Sequence, residues 1–293
     1  MELRTNAEDL LRTCLVGEIP PTEVDRQPYA PGTLIDPFLL PGMGGVTLVR
    51  IGERAFGWAA DHLEPGAKVH HPEERANNAL QFLACVGDRA RVLSGLAAGA
   101  EGFVTGKHAN VMVDFTGDVL ERLAVGDRIA IEAVGVGLRL LDHPDVVAKN
   151  LAPAALRLLG ASTLPDGSLG VPVRRVIPRE AMGAGVGMHS DYANCDLMFR
   201  TFEDARRLGL TDLRLGDVVA LEDQDHRFGR GYRQGAWTIA TVTTGMCQSF
   251  GHGPGATTLL TGPPGSITPL QGNAANLELL AAALAEEGHP AWL

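Results

Sequence analysis

Lysine is nearly absent from this chain. Lys68, Lys107 and Lys149 are three of 25 basic residues, set against 35 acidic ones. The net charge of −10 and a pI near 5.4 exclude a surface built to grip a nucleic-acid backbone, which needs clustered Lys and Arg. The preference for Arg reads as GC-rich coding composition, not as a binding face. No apolar run approaches the roughly 18 residues of a membrane span. The first residues, MELRTNAEDLLRTCLVGEIPP, lack the basic and apolar regions of a signal peptide. Together these absences predict a cytoplasmic protein with no membrane partner. Cysteine is scarce too: Cys14, Cys85, Cys195 and Cys247 lie far apart and form no CxxC pair. In a reducing compartment they stay free thiols, so neither a zinc finger nor a disulfide framework is expected. A Gly-x-Ser-x-Gly elbow and a GxGxxG after a strand are also missing, which argues against serine-hydrolase and Rossmann chemistry.

What remains is an ordinary globular composition over 293 residues, 45% hydrophobic and 20% charged, enough for a well-buried core in one or two domains. Short alternating or β-branched runs predict strands at Val46–Ile51, Ala90–Ser94, Val111–Phe115, Arg128–Ala133, Asp217–Leu221 and Ala236–Thr243, each bounded by Gly, Pro or Asp. Helical patterns are fewer: Thr116–Leu123, Pro153–Leu159, Phe202–Leu208 and Ala274–Glu287, the last closed by Gly288 and Pro290. Strands outnumber helices without alternating with them. The expected class is therefore α+β, β-rich, with barrel-like sheets and a few peripheral helices. A boundary is expected in the loop-rich stretch Gly160–Gly170, giving β-rich halves over residues 1–160 and 161–293, the second carrying the terminal helix. Whether the halves fold apart or as one compact unit is left open.

A short motif recurs. Leu123-Ala-Val-Gly-Asp-Arg-Ile-Ala-Ile-Glu132 matches Leu213-Arg-Leu-Gly-Asp-Val-Val-Ala-Leu-Glu222 in chemical type, and Gly87-Asp88 precedes a third such run. The physical reading is a tight turn in which Gly takes φ > 0 and Asp caps backbone amides before a new strand.

The stretches Phe56-Gly-Trp-Ala-Ala-Asp-His-Leu-Glu-Pro-Gly66, Gly102-Phe-Val-Thr-Gly-Lys-His108, Arg227-Phe-Gly-Arg-Gly-Tyr232 and Gly251-His-Gly-Pro-Gly-Ala-Thr-Thr258 resemble the domain-of-unknown-function family 4438. The resemblance runs from about residue 35 to 262. It implies a soluble, β-rich prokaryotic protein and carries over no assigned reaction.

Candidate chemistry must come from the residues. Asp223 and Asp225 end the strand Asp217–Leu221, and alternation places them on one face, with Gln224 and His226 on the other. Such a pair suits a cation or acid/base work, or simply pairs with Arg227 and Arg230 nearby. Arg227 and Arg230, between glycines, offer a fork for a carboxylate or phosphate, or neutralise those acids. In Gly251–Thr258, Gly253 and Gly255 belong to a side-chain-poor loop able to turn amides toward an anion, with His252 as ligand or base. Asp61-His62-Leu63-Glu64 groups three polar side chains as metal shells do. Lys107, in a Gly turn beside His108, is a contact for an anionic substrate or part of a plain hairpin. Cys247, five residues before His252, is a nucleophile candidate or a buried thiol. The pair His70-His71 reads as an exposed Pro-Glu-Glu-Arg loop.

The leading expectation is a metal-assisted hydrolase or lyase of a carboxylate- or amide-bearing metabolite, acting as a homo-oligomer. His62, His252 and Asp223 (or Asp225) would hold a divalent ion. Arg227, Arg230, Lys107, Gly253 and Gly255 would bind the substrate. Two alternatives stand beside it: a metal-free Cys/His enzyme, and a non-catalytic binder of small anions.

Overall fold

The computed structural model describes residues 3–23, 41–185, 189–247, 251–272, 274 and 276–286. Strand is the dominant element and the helices are short, so the β-rich α+β expectation holds. Six strands between Thr13 and Ala133 form one antiparallel sheet in the order Thr13–Glu18, Arg128–Ala133, Arg89–Val92, Glu101–His108, Asn110–Asp114, Ala67–Val69. It curls until its two outer strands meet at the Glu18–His70 bridge, where the backbones exchange bonds of 2.8 and 3.0 Å. Closure of this kind removes unpaired edges. Its inward residues, among them Val69, Val104, Val111, Val113, Ile129 and Ile131, form a dry cluster of their own.

A second sheet runs Arg175–Ile177, Val218–Asp225, Gly231–Thr244, Gly255–Gly262, Cys195–Asp196, with Val147–Ala148 added beside Gly255–Gly262. The parallel pair Leu169–Val173 and Ile267–Gln271 carries a smaller third sheet. The larger core joins this half to side chains of the first, including Ile51, Val86 and Phe103. The two sheets also meet directly: Thr243 packs where Gly106 has no side chain, and the Lys107 amide donates to Thr257 Oγ1 at 3.4 Å. That contact places His108, at the end of its strand, against the second half.

The recurring Gly-Asp turns are built as expected. Gly87, Gly126 and Gly216 have φ of +96°, +89° and +85°. In each, the following Asp accepts from the amide three residues back: Asp88 from Cys85 at 2.6 Å, Asp127 from Ala124 at 2.9 Å, Asp217 from Arg214 at 2.8 Å. A strand starts directly after each Asp.

Three sequence expectations change. Val46–Ile51 is not a strand; Val46 makes one bridge to Ala67, and Thr47 and Val49 are tied singly to Gly66. The Pro-Glu-Glu-Arg stretch opens a helix, Glu74–Leu83, whose N-cap Glu73 accepts from the Arg75 and Ala76 amides at 3.0 and 2.7 Å. Its two central Asn residues hid the periodicity. The terminal helix is shorter than expected, Leu280–Glu286 after a 3₁₀ turn, and its predicted stop at Gly288 and Pro290 lies outside the described residues. No helix among the described residues is long and apolar enough to cross a membrane.

Candidate metal centre

Four backbone hydrogen bonds bring His62 and Cys247 together. The Asp61 amide donates to Pro41 O at 3.1 Å and the Glu64 amide to Gly42 O at 3.0 Å, which seats residues 61–64 on the 41–45 loop. The Gly245 amide then donates to Leu63 O at 2.8 Å, and Met246 to Ala55 O at 2.9 Å, so Cys247 is delivered beside Asp61 and His62. His62 itself has φ +46°, a left-handed conformation that a side chain of its size adopts only under constraint.

His252 arrives from the other side. The Gly251 carbonyl accepts from Ala184 and the Pro254 carbonyl from Leu197, both at 2.8 Å. Gly253 lies so close to the Leu197 carbonyl that any Cβ there would overlap it. Replacing Gly253 with Ala is therefore expected to cost about 1–3 kcal/mol by overpacking and to push His252 off its place. Urea denaturation measures the first effect; a loss confined to the unfolding midpoint, with His252 unmoved in the variant's structure, would reject the second.

His62 and His252, 190 residues apart in sequence, meet with Nε2 and Nδ1 separated by 3.1 Å. One ligand atom from each of His62, Cys247 and His252 lies within 4.8 Å of the others. The two imidazoles cross at 87°, while His108 stacks on His62 at 11° with ring centroids 5.1 Å apart. Imidazole lone pairs lie in the ring plane. Perpendicular rings can aim at one point between them, and stacked rings cannot.

Each histidine has its Nδ1 on a carboxylate. His62 Nδ1 lies 3.4 Å from Asp61 Oδ1, His108 Nδ1 3.0 Å from Glu64 Oε1, and His252 Nδ1 2.7 Å from Asp196 Oδ2. For His62 and His108 a carboxylate on Nδ1 fixes the tautomer and leaves Nε2 as the lone-pair donor, the arrangement found behind metal-bound histidines, whereas His252 Nδ1 lies between Asp196 and His62 Nε2. Glu64 is fully buried, its second oxygen accepting from the Gly44 amide at 2.9 Å. The bond to Asp196 raises the His252 pKa above the usual imidazole value. For His108, burial pulls the pKa down and the bond to Glu64 more than offsets it, leaving it raised. For Asp61, burial pushes up, while hydrogen bonds from His62 and the Cys247 thiol and the charges of His62 and His252 leave its pKa lowered.

The other sequence candidates sit elsewhere. Asp223 lies at a bulge in its strand with φ +57°, which breaks the expected alternation; it accepts from Arg179 at 2.6 Å and from the Gly235 amide at 2.7 Å. Asp225 is held by Arg227 at 2.8 Å and Arg233 at 3.0 Å, and the Arg227 bond takes its pKa down to about 2. Neither acid belongs to the three-residue group with His62 and His252. Arg230 is buried and donates to the carbonyls of Gly185, at 3.0 Å, and Ala193. Lys107 is buried on Asn150 Oδ1 at 2.7 Å and Asp191 O at 2.9 Å, and the Gly255 amide donates to Thr244 Oγ1 at 3.0 Å. Sequence reasoning missed Asp196 altogether and passed over His108 and Glu64 as partners, because their pairings span 56 and 44 positions.

Comparison with known proteins agrees with the sequence resemblance. No curated protein matches the chain. A solved structure described as the crystal structure of TM1086 superposes with a TM-score of 0.88 at 40% identity, covering 95% of this chain and 99% of that one. The family model "Domain of unknown function (DUF4438), N-terminal" matches residues 29–157, and its C-terminal counterpart matches 159–280. The chain belongs to the DUF4438 family.

Proposed function

We propose that this protein is a metal-dependent hydrolase or lyase of a small carboxylate- or amide-bearing molecule, with His62, Cys247 and His252 as the ligands. The observation that carries the reading is the convergence of one donor atom from each of these residues within 4.8 Å, where the first and last are 190 positions apart. Nitrogen and thiolate donors in a set of three suit a zinc-type ion with one position open for water or substrate. Such an ion supplies Lewis acidity and a bound water of lowered pKa.

The chain's own groups do the rest. Asp61 and Asp196 hold the two ligating imidazoles in register. His108, backed by Glu64 and stacked on His62, is set outside the ligand geometry by its parallel ring and serves as the proton acceptor and donor. A metal-free thiol mechanism is less well supported, because the Cys247 thiol is fully buried and donates to Asp61, while a nucleophilic Cys needs partial exposure.

Purified protein is expected to take up about one zinc or similar divalent ion per chain, lost on mutating either His62 or His252 to Ala. Elemental analysis after equilibrium dialysis measures it. Uptake below about 0.2 equivalents by the wild-type protein, with no gain on titration, would sink the reading.

A further inference from the structure

Arg230 poses a physical problem that its place in the sequence does not explain. Arg230 is 3% exposed, and among the described residues no carboxylate lies within ion-pair distance of its guanidinium. Burying an unpaired cation is expensive. Its Nη atoms go to two backbone carbonyls, Gly185 and Ala193, and its Nε has no partner. Those carbonyls, eight positions apart in the chain, are drawn together as a neck. Gly185 has φ +94°, and a Cβ there would sit 2.8 Å from Nη1.

Immediately outside this neck the chain closes on itself. The Asp196 amide donates to Ala184 O at 3.0 Å, the Gly183 amide to Asp196 O at 2.9 Å, and the Ala184 amide to Gly251 O at 2.8 Å. Three residues past Ala193, Asp196 then reaches His252 Nδ1 at 2.7 Å. Arg230 also lies near enough for its charge to act on Asp196, and burial lowers its own pKa.

We infer that Arg230 is a positioning residue: by stapling the Gly185 and Ala193 carbonyls it delivers Asp196 to His252. The inference rests on the metal-centre reading above and adds a residue to it. The guanidinium fork spans both carbonyls, which one lysine head cannot do.

The test is zinc affinity, measured by competition with a chromophoric chelator, in Asp196→Asn, Arg230→Met and the double variant. Loss of a group that orients a metal ligand weakens metal binding by about 10–100-fold, and that loss is expected for each single variant. Because Arg230 acts through Asp196, the double variant is expected to bind no worse than Asp196→Asn alone. A merely structural Arg230 would lower the melting temperature and leave the affinity of the folded protein unchanged. Wild-type affinity in Arg230→Met, or losses that multiply in the double variant, would overturn the inference and leave the metal centre standing. Wild-type protein that binds no zinc would overturn both. If Arg230→Met does not fold, Arg230→Lys takes its place: affinity below wild type supports the staple, and equal affinity rejects it.

Discussion

Saturation with zinc is expected to raise the melting temperature of the whole chain by on the order of 10 °C. At a free ion concentration about a thousand times Kd, ligation stabilises the folded state by roughly 4 kcal/mol. For a body of this size each kcal/mol moves the midpoint by about 2–4 °C. The effect should reach both halves, because the ligands do. His62 lies on the segment leading into the outer strand Ala67–Val69 of the first sheet, while Cys247 and His252 fall between the strands Gly231–Thr244 and Gly255–Gly262 of the second. Neither half holds three donors by itself, so the unfolded or half-unfolded chain offers no comparable site. Differential scanning calorimetry with and without a chelator reads the shift. His62→Ala should keep the chelated protein's midpoint and show no gain with zinc. An equal gain in wild type and His62→Ala would place the ion elsewhere and end the argument for this centre.

The origin of the site explains how much of it the sequence could reveal. Strand content and the Gly-Asp turns were legible because both depend on neighbours in sequence: alternation over five residues, or one Asp bonded three positions back. His62 and His252 were each visible as histidines in constrained, glycine-supported turns, and the fold joins them. Asp223 and Asp225 also looked chemical, for a local reason, since two acids beside three arginines stand out. For Asp225 locality works against that reading, since Arg227 and Arg233 occupy its carboxylate, while Asp223 is occupied by Arg179 from 44 positions away. Asp196 carries no local signal at all. It matters because a two-residue strand pairs with Ala256 and Gly255 and so lies against the His252 loop. A single sequence does not encode such long-range pairing in any readable period.

His226 was read from sequence only as the residue facing away from the acids, and its burial carries a further expected result: wild-type stability should fall steeply in mild acid. The side chain is wholly buried, Nδ1 lies 2.8 Å from Thr258 Oγ1, and Nε2 has no partner. Burial first, then the charge of Arg230, depress its pKa to about 3; Lys149 adds to this and Asp225 opposes it. The folded protein therefore keeps His226 neutral where the unfolded chain, near 6.5, has begun to bind a proton. More protons bound in the unfolded state means stability rises with pH across that interval. The stabilisation is complete above about 6.5 and is lost as pH falls toward 3, at roughly 1.4 kcal/mol per pH unit. Between pH 6.5 and 4.5 that amounts to roughly 2–3 kcal/mol. His226→Asn keeps a polar atom for Thr258 but cannot be charged. It should be less stable than wild type at pH 7 and lose correspondingly less on acidification. The metal centre is the same in both proteins, so its contribution cancels from the comparison. Urea midpoints at the two pH values decide it: parallel losses in wild type and His226→Asn would mean that His226 is not what the acid reaches.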